Sequence, residues 1–308
     1  MFQAVTTNRT KTTFIVAIIF LFFAAIVYFI SFFLLELGYF SIVFAVIVSF
    51  AISFGAYWNS DKIVLRLHNA RPADAKQDAK LNNILEGLCI ASGMPKPRLY
   101  VMDDPALNAF ATGRNPKNAV ICVTTGLLDK LNREQLEGVV AHELAHIKNY
   151  DILLQTVAGI MIGAVIIASN FAARMLFFSG GRGGRSRSSG GRGGGGAAML
   201  IIMAVGIILM ILAPIAGQML KMLLSRNREF LADATGAEMT RNPEGLASAL
   251  EAIGGSKIPL QRTSNATESM YIATPLSELG GRKGGGSSSM FSTHPPIEKR
   301  VQALRNLR

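Results

Sequence analysis

Long apolar segments alternate with polar segments along the chain. Two uncharged apolar segments of 22 and 20 residues lie near the start, and two more, of 22 and 24 residues, lie in the second half. Each is long enough to cross a hydrocarbon core of about 30 Å as a helix. The pattern therefore predicts about four transmembrane helices, at Phe14–Leu35, Tyr39–Trp58, Ile152–Ala173 and Ala197–Leu220.

These segments divide the chain into four parts. Residues 1–58 are predicted to form a two-span membrane hairpin and residues 152–220 a second hairpin, while residues 59–151 and 221–308 are polar. The mean hydropathy of +0.35 and the low share of charged residues, 17%, exclude an ordinary soluble domain. We expect the two polar parts to join outside the membrane into one domain that the second hairpin interrupts.

The polar parts carry the patterns of both strands and helices. In the first part, the patterns predict short strands at Arg98–Asp103, Asn108–Thr112 and Ala119–Thr124, and helices at Ala73–Ser92 and Leu136–Ile147. The second part contains a helical segment at 226–238 and a terminal helix that has Pro295 and Pro296 in its first turn and Ile297, Val301 and Leu304 on one face. The predicted fold class is α+β, predominantly helical with a small β-sheet, beside about four transmembrane helices.

The strongest chemical signal is the motif His142-Glu143-x-x-His146, which lies inside a helical pattern. On a helix, residues four apart share one face, so both imidazoles can bind one metal ion. Zinc is the metal that this motif typically binds, and zinc lowers the pKa of a bound water to about 7. Glu143 lies beside the open coordination position and can take the proton of that water as the general base. A chance match is the alternative, and the surrounding motifs weigh against it.

A catalytic zinc site needs a third protein ligand and leaves its fourth position for water. The segment 226–238 offers Glu229 and Asp233, which lie four residues apart on one helical face. Glu229 is the predicted third ligand, and Asp233 is predicted to accept the free ring N–H of a ligating histidine. Taken alone, the pair is also typical of a solvated acidic face, but beside the motif at 142–146 the metal-binding interpretation is favoured.

Together these residues resemble the HtpX family of integral-membrane zinc metalloproteases, which is related to the membrane CAAX prenyl proteases. The resemblance covers nearly the whole chain and rests on ordered motifs, LNAFATG at 107–113, VTTGLL at 123–128, AHELAHIKNYD at 141–151, EFLAD at 229–233 and THPP at 293–296. It implies a zinc endopeptidase with a zincin-like domain of the gluzincin type, one Zn²⁺ per subunit and an active site that faces the cytoplasm. It also implies a role in the quality control of membrane proteins, with misfolded or damaged polypeptides as substrates.

The resemblance further implies two residues that contact substrate. Asn108 begins an edge strand at 108–113 that would hold an extended substrate by β-augmentation, with the Asn108 side chain near the reacting carbonyl. His294 would pack near the active site and bind the tetrahedral intermediate. The alternatives are a turn residue for Asn108 and a polar residue beside a helix cap for His294.

The distribution of positive charge predicts an orientation in the membrane. The chain has a formal net charge of +11, and residues 59–151 and 221–308 each contain 12 Lys and Arg. By the positive-inside rule both parts face the cytoplasm, next to anionic lipid, in a multi-pass protein of the cytoplasmic membrane. The loop at 179–196 conflicts with this orientation, because its four Arg would lie outside unless the second hairpin crosses only partly. Its ten Gly also allow an RNA-binding interpretation, but its place between two spans disfavours a nucleic-acid partner.

Two further features carry no chemistry of their own. Cys89 and Cys122 lie on a predicted helix and a predicted strand, a setting typical of buried free thiols in a reducing compartment. Residues 254–290 are rich in Gly, Ser and Thr. A segment of this length without a predicted element is usually functional or disordered, and beside a protease site it could cover the cleft.

Three other functions compete with the membrane protease. A scaffold or holdase with a structural zinc is disfavoured because structural sites usually have four protein ligands, and the sequence offers three. A transporter is disfavoured because the predicted spans carry no central charge. A prenyl-protein protease is the closest rival, but it would need more spans to enclose a chamber. The sequence predicts no oligomeric state.

Overall fold

A small mixed β-sheet supports the polar domain. The computed structural model describes residues 37–156, 226–261, 270–273 and 295–307, with scattered positions between Thr10 and Phe32. The strands in this part of the chain are β1 (Arg71–Pro72), β2 (Arg98–Met102), β3 (Ala109–Gly113) and β4 (Ala119–Thr124). They lie in the order β1-β2-β4-β3, with β2 and β4 parallel and the two outer pairs antiparallel. The three predicted strands agree to within one residue at each end, whereas β1 is too short to have a sequence pattern.

Helices surround this sheet and make the fold predominantly helical, as predicted. The long helix α1 precedes the sheet, α2 lies between β1 and β2, and α3 and α4 follow β4. In chain order the helices are α1 (Phe40–Leu67), α2 (Ala79–Ser92), α3 (Thr125–Lys130), α4 (Arg133–Lys148), α5 (Arg226–Thr240), α6 (Pro243–Gly255) and α7 (Ile297–Arg305).

Helix α1 contains all but the first residue of the second predicted span, Tyr39–Trp58, and continues beyond it. In the part of the chain that the structure describes, no single helix is long and apolar enough to cross a membrane. The two halves of α1, Phe40–Gly55 and Tyr57–Leu67, meet at a bend of 59° and together meet that requirement by length and composition. The third and fourth predicted spans, apart from residues 152–156, and the loop at 179–196 lie outside the described residues.

The sheet separates two apolar clusters. Alternate residues of β4 face opposite sides, so Ile121 and Val123 enter the main core while Val120 and Cys122 enter a smaller one. The main core lies between the sheet and helices α2, α4, α6 and α7. Every residue of β4 is buried, and Cys89 and Cys122 are buried free thiols, as predicted.

Three predicted helix starts are wrong, and that of α4 is three residues too late, at Leu136 instead of Arg133. The helix predicted from Ala73 begins at Ala79, because Asp74 Oδ1 accepts the N–H groups of Lys76 and Gln77, both at 2.8 Å, in a local turn that competes with the helix. Its predicted end is confirmed, since Gly93 takes the left-handed conformation at φ 67°. Helix α7 begins at Ile297, so Pro295 and Pro296 precede it instead of forming its first turn.

Helix α4 carries the motif at 142–146. Its start and its packing are determined by residues in its first two turns. Asn132 caps it, with Oδ1 accepting the Gln135 N–H at 2.9 Å and Gln135 Oε1 accepting the Asn132 N–H at 3.1 Å. One turn later Gly138 lets the backbone of α6 approach closely, since a Cβ added there would lie 2.6 Å from the Leu246 nitrogen. The cap and this contact fix where the buried face of α4 meets the core.

We expect Gly138→Ala to destabilise the domain, because the added methyl group collides with backbone that cannot rotate away. Overpacking of this kind costs about 1–3 kcal/mol. Gly87→Ala is the matched control, since Gly87 is also helical and its added Cβ would meet nothing within 4 Å. There the same change should stabilise by up to about 1 kcal/mol. Thermal unfolding of both variants in detergent tests the prediction, and equal midpoints would contradict it.

Candidate metal centre

The two motif histidines of α4 point at each other across one helical turn. His142 Nε2 lies 3.2 Å from His146 Nε2, and both residues are buried. Two nitrogens bound tetrahedrally at about 2.0 Å from a zinc ion lie about 3.3 Å apart. The spacing of the two imidazoles therefore fits joint ligation of one metal ion.

Helix α5 brings a carboxylate to the same point. Glu229 Oε1 lies 3.5 Å from His146 Nε2, and Glu229 Oε2 lies 4.0 Å from His142 Nε2. One ligand atom from each of the three residues falls within 4.8 Å of the others. Among the residues that the structure describes, this is the one group of three or more His, Cys, Asp or Glu side chains able to hold a metal ion.

The second ring nitrogen of each histidine faces a carboxylate. His142 Nδ1 lies 2.9 Å from Asp233 Oδ1, and His146 Nδ1 lies 3.3 Å from Asp151 Oδ2. A carboxylate that accepts the Nδ1–H fixes the tautomer whose Nε2 carries a free lone pair. Both rings are thus oriented for ligation through Nε2.

Two buried arginines hold these carboxylates. Arg300 of α7 is fully buried and donates to both oxygens of Asp233, at 2.8 Å from Nε and 2.7 Å from a terminal nitrogen. Another terminal nitrogen of Arg300 lies 3.4 Å from Glu229, and Arg228 lies 3.5 Å from Asp151. When both histidines are neutral, as metal ligation requires, the three carboxylates Asp151, Glu229 and Asp233 exceed the two guanidinium groups by one negative charge. An excess of this sign favours a cation between the histidines and Glu229.

The pKa shifts follow from burial and from these charges. Burial lowers the pKa of His142 to about 4, which keeps that imidazole neutral, as a metal ligand must be. Although burial opposes it, Asp151 and Glu229 raise the pKa of His146 to about 9, because they stabilise positive charge at this ring. A metal ion that binds His146 must therefore displace a proton from it. Burial also opposes ionisation of Asp233, but Arg300 and His142 hold its pKa at about 2. Asp233 is therefore an anion wherever the protein is folded at ordinary pH.

Glu143 lies between the two histidines in sequence and faces strand β3. Burial, with a smaller contribution from Glu229, raises the pKa of Glu143 to about 7, while His146, Arg300 and the Ala111 N–H oppose the shift. Its Oε1 is buried and has no hydrogen-bond partner among the described residues. A carboxyl group with a pKa near neutrality and an open acceptor atom can both take and return a proton.

Asn108 lies immediately before β3, and its side chain is engaged. Its Nδ2 donates to the Ala273 carbonyl at 3.1 Å, and its Oδ1 accepts the Ala109 N–H at 3.0 Å. The residue is buried. His294, the other predicted substrate contact, lies outside the described residues, so its predicted role stays a prediction.

Sequence reasoning missed three residues of this site, Asp151, Arg228 and Arg300. Asp151 ends the AHELAHIKNYD motif, and the left-handed Tyr150 (φ 61°) turns the chain just before it. Arg300 shares the buried face of α7 with Val301 and Leu304. A charged residue on an apolar helix face was the available signal, because such a residue needs a buried partner.

Comparisons with known proteins agree with this geometry. The model of peptidase family M48 matches residues 75–308. The chain is 43% identical over 305 residues to a "Protease HtpX homolog" of Dictyoglomus thermophilum, covering 99% of this chain and 94% of that one. It is 38% identical over 307 residues to a protein of the same description from Streptococcus pneumoniae, covering all of both chains.

A solved structure shares the fold. The crystal structure of S. mikatae Ste24p superposes with a TM-score of 0.50 at 17% sequence identity, covering 90% of this chain and 62% of that one. At this identity the likeness concerns the fold alone. The family match spans most of the chain, and the two relatives exceed 30% identity over 94% and 100% of their length. The chain therefore belongs to peptidase family M48 and is a metalloprotease of the HtpX type.

Proposed function

We propose that the protein is a zinc-dependent endopeptidase of the gluzincin type, with His142, His146 and Glu229 as metal ligands and Glu143 as the general base. The observation that carries the proposal is the convergence of the three ligand atoms within 4.8 Å, with the second nitrogen of each histidine held by a carboxylate. Imidazole and carboxylate donors in a three-ligand set are typical of catalytic zinc. A bound zinc ion would polarise the peptide carbonyl and lower the pKa of water.

The residues of this chain perform the proton transfers. Glu143 accepts a proton from the attacking water as the bond to the carbonyl carbon forms, and then donates it to the leaving amine as the peptide bond breaks. Its raised pKa suits both steps. Asp233 and Asp151 hold the histidine rings in place, and Arg300 holds Asp233. The edge of β3 provides backbone groups for an extended substrate.

A place in the membrane is part of the proposal. In the first half of α1, large apolar side chains are exposed, among them Phe40, Ile47, Phe50 and Phe54. An apolar face of this extent is typical of contact with lipid. We infer a multi-pass protein of the cytoplasmic membrane, with about four spans as two hairpins at 1–58 and 152–220. The catalytic domain, built from 59–151 and 221–308, faces the cytoplasm.

The proposed substrates are unfolded or damaged membrane proteins at the cytoplasmic face. The name of the relatives, "Protease HtpX homolog", supports proteolysis as the activity. The proposed location of the site beside the membrane would favour membrane proteins as substrates. A holdase that uses zinc only for structure is the competing function. Three ligands and a buried carboxyl group with an open acceptor atom favour catalysis over it.

Purified protein tests the proposal directly. We expect about one zinc per chain by metal analysis and cleavage of casein or an unfolded membrane protein. Both should be lost on treatment with a chelator and restored by zinc. Protein that binds zinc without cleaving any polypeptide would support the holdase instead. Cleavage that survives complete removal of metal would overturn the mechanism.

Cysteine labelling of intact cells tests the topology. Three variants each carry one introduced cysteine, in place of Arg66, Gly183 or Arg262. A membrane-impermeant thiol reagent is then added to intact cells. We expect only the cysteine at 183 to react from outside, because the positive-inside rule places the other two in the cytoplasm. Labelling at 66 or 262 would contradict the orientation. Absence of labelling at 183 would contradict only the full crossing of the second hairpin.

A further inference from the structure

The free edge of β3 carries a short segment of the chain itself. Residues Met270–Ala273, the edge segment, run antiparallel to β3 with Tyr271 opposite Phe110. The Ile272 N–H donates to the Ala109 carbonyl at 3.0 Å. The Asn108 side-chain amide donates to the Ala273 carbonyl at 3.1 Å. Arg300 donates to the Ile272 carbonyl at 2.8 Å. Although it has only four residues, the segment binds the edge of β3 as an additional antiparallel strand would.

This edge is the one that faces the catalytic carboxyl group. Along a strand, backbone groups two residues apart point to the same side. The Ala109 carbonyl binds the edge segment, and the N–H of Ala111, two residues on, acts on Glu143. The edge segment and Glu143 therefore share one edge of β3. An extended substrate bound there would compete with the edge segment for Asn108, Ala109 and Arg300.

The side chain of Tyr271 fills a defined pocket. Its ring packs edge-on against Phe110, at 5.5 Å and 85°, and against His68, at 5.7 Å and 77°. Its hydroxyl lies 3.1 Å from His68 Nδ1, and Tyr271 and His68 are both buried. Val64 and Leu65 of α1 belong to the same cluster. The pocket thus offers aromatic faces and one polar atom, which together suit a tyrosine side chain.

We propose that the edge segment occupies the place of the substrate strand, and that the pocket of Tyr271 selects an aromatic side chain of the substrate. This inference rests on the proposed peptidase function. The contacts of the bound segment indicate which substrate could replace it. That substrate is an extended peptide whose aromatic side chain lies between His68 and Phe110. A substrate must displace the segment first, so its apparent affinity is lowered by the fraction of molecules in which the edge is covered.

Hydrogen exchange tests this without requiring catalysis. The protein is full-length, zinc-loaded Glu143→Gln in detergent, and the probes are two unstructured peptides that differ only in a central Tyr or Ala. At saturation with the Tyr peptide we expect the Ile272 N–H, which loses its bond to Ala109, to exchange at least about tenfold faster. The Ala peptide should bind several-fold more weakly. Binding of peptide with unchanged exchange at Ile272, or equal affinity for the two peptides, would overturn this inference alone.

Kinetics of a truncated edge segment provide the second test. In the active protein, Tyr271→Ala empties the pocket and weakens the segment, so KM for the Tyr peptide should fall about tenfold while kcat changes little. Tyr100→Ala on β2 is the matched control, since Tyr100 packs against the same cluster away from the segment, and its KM should not change. A folded Tyr271→Ala protein whose KM is unchanged or higher would overturn the proposal. If Tyr271→Ala does not fold, the exchange experiment decides.

Failure of the proposed peptidase function and failure of the edge-segment inference give different results. If neither peptide binds to Glu143→Gln and the active protein cleaves no polypeptide, the proposed function is wrong and this inference falls with it. If the active protein cleaves peptides but the edge segment stays in place when they bind, the proposed function stands. The edge segment would then be a fixed strand of the fold.

Discussion

Glu143→Gln should bind zinc and fold like the unchanged protein while losing peptide cleavage. The amide has nearly the shape of the carboxyl group but cannot accept a proton, so water is no longer activated. Loss of general acid–base catalysis slows such reactions by about 100-fold to 10,000-fold. The raised pKa of Glu143, which results mainly from burial, makes the carboxyl group effective near neutral pH. Cleavage of a fluorogenic peptide, metal analysis and thermal unfolding of the purified variant measure the three properties separately.

Glu134→Gln is the matched control for this experiment. Glu134 lies on the same helix, α4, but is exposed in its first turn. The same chemical change there should leave activity and metal content intact. Residual activity of more than about a few per cent in Glu143→Gln would reject the general-base role, since the expected loss is at least about 100-fold. Loss of metal from this variant would instead make Glu143 a ligand.

Local patterns in the sequence predicted the elements that carry the site. The nearly continuous apolar run Ala119–Thr124 predicted β4 with its bounds correct, because a strand that is buried on both faces is apolar along its whole length. The i, i+4 spacing put His142 and His146 on one face of α4, and the same spacing put Glu229 and Asp233 on one face of α5. Periodicity within one helix is local information, so sequence reasoning can read it.

Apart from Glu229 and Asp233, which the need for a third zinc ligand pointed to, contacts between distant segments were beyond such reasoning. Arg300 reaches Asp233 across 67 positions of the chain, and no spacing rule predicts the partner of a single buried arginine. The edge segment is similar, since Tyr271 lies beside His68 although 203 positions separate them. The sequence predicted no element there, because four residues are too few for a periodic pattern. Both contacts depend on how α7 and the segment pack onto the finished domain.

Glu229→Ala and Asp233→Ala should have different effects on zinc binding. Glu229→Ala removes one of three proposed protein ligands, so the purified protein should lose most of its zinc at micromolar free metal. Asp233→Ala leaves all three ligands but frees the His142 ring, which typically costs about 10–100-fold in metal affinity or activity. That variant should still bind zinc when zinc is in excess. Metal analysis at limiting and at excess zinc separates the two results.

Asp233→Ala should also destabilise the fold, for a reason unrelated to the metal. It leaves the fully buried Arg300 without the carboxylate that accepts two of its hydrogen bonds, and breaking a buried ion pair costs about 3–5 kcal/mol. The double variant Asp233→Ala, Arg300→Met removes both members of this ion pair, so no buried guanidinium group is left without its main partner. Thermal stability should therefore recover in part, whereas metal affinity should stay low because the His142 ring still lacks its partner.

His294→Ala decides between the two possible third ligands. His294 could complete the site with His142 and His146 if Glu229 served only to balance charge. On the proposed assignment, His294→Ala keeps its zinc, because the three ligand atoms that converge in the structure are untouched. If His294→Ala loses its zinc while Glu229→Ala keeps it, the carboxylate assignment is wrong. The site would then be a three-histidine centre, and the proposed gluzincin chemistry would fail at its third ligand.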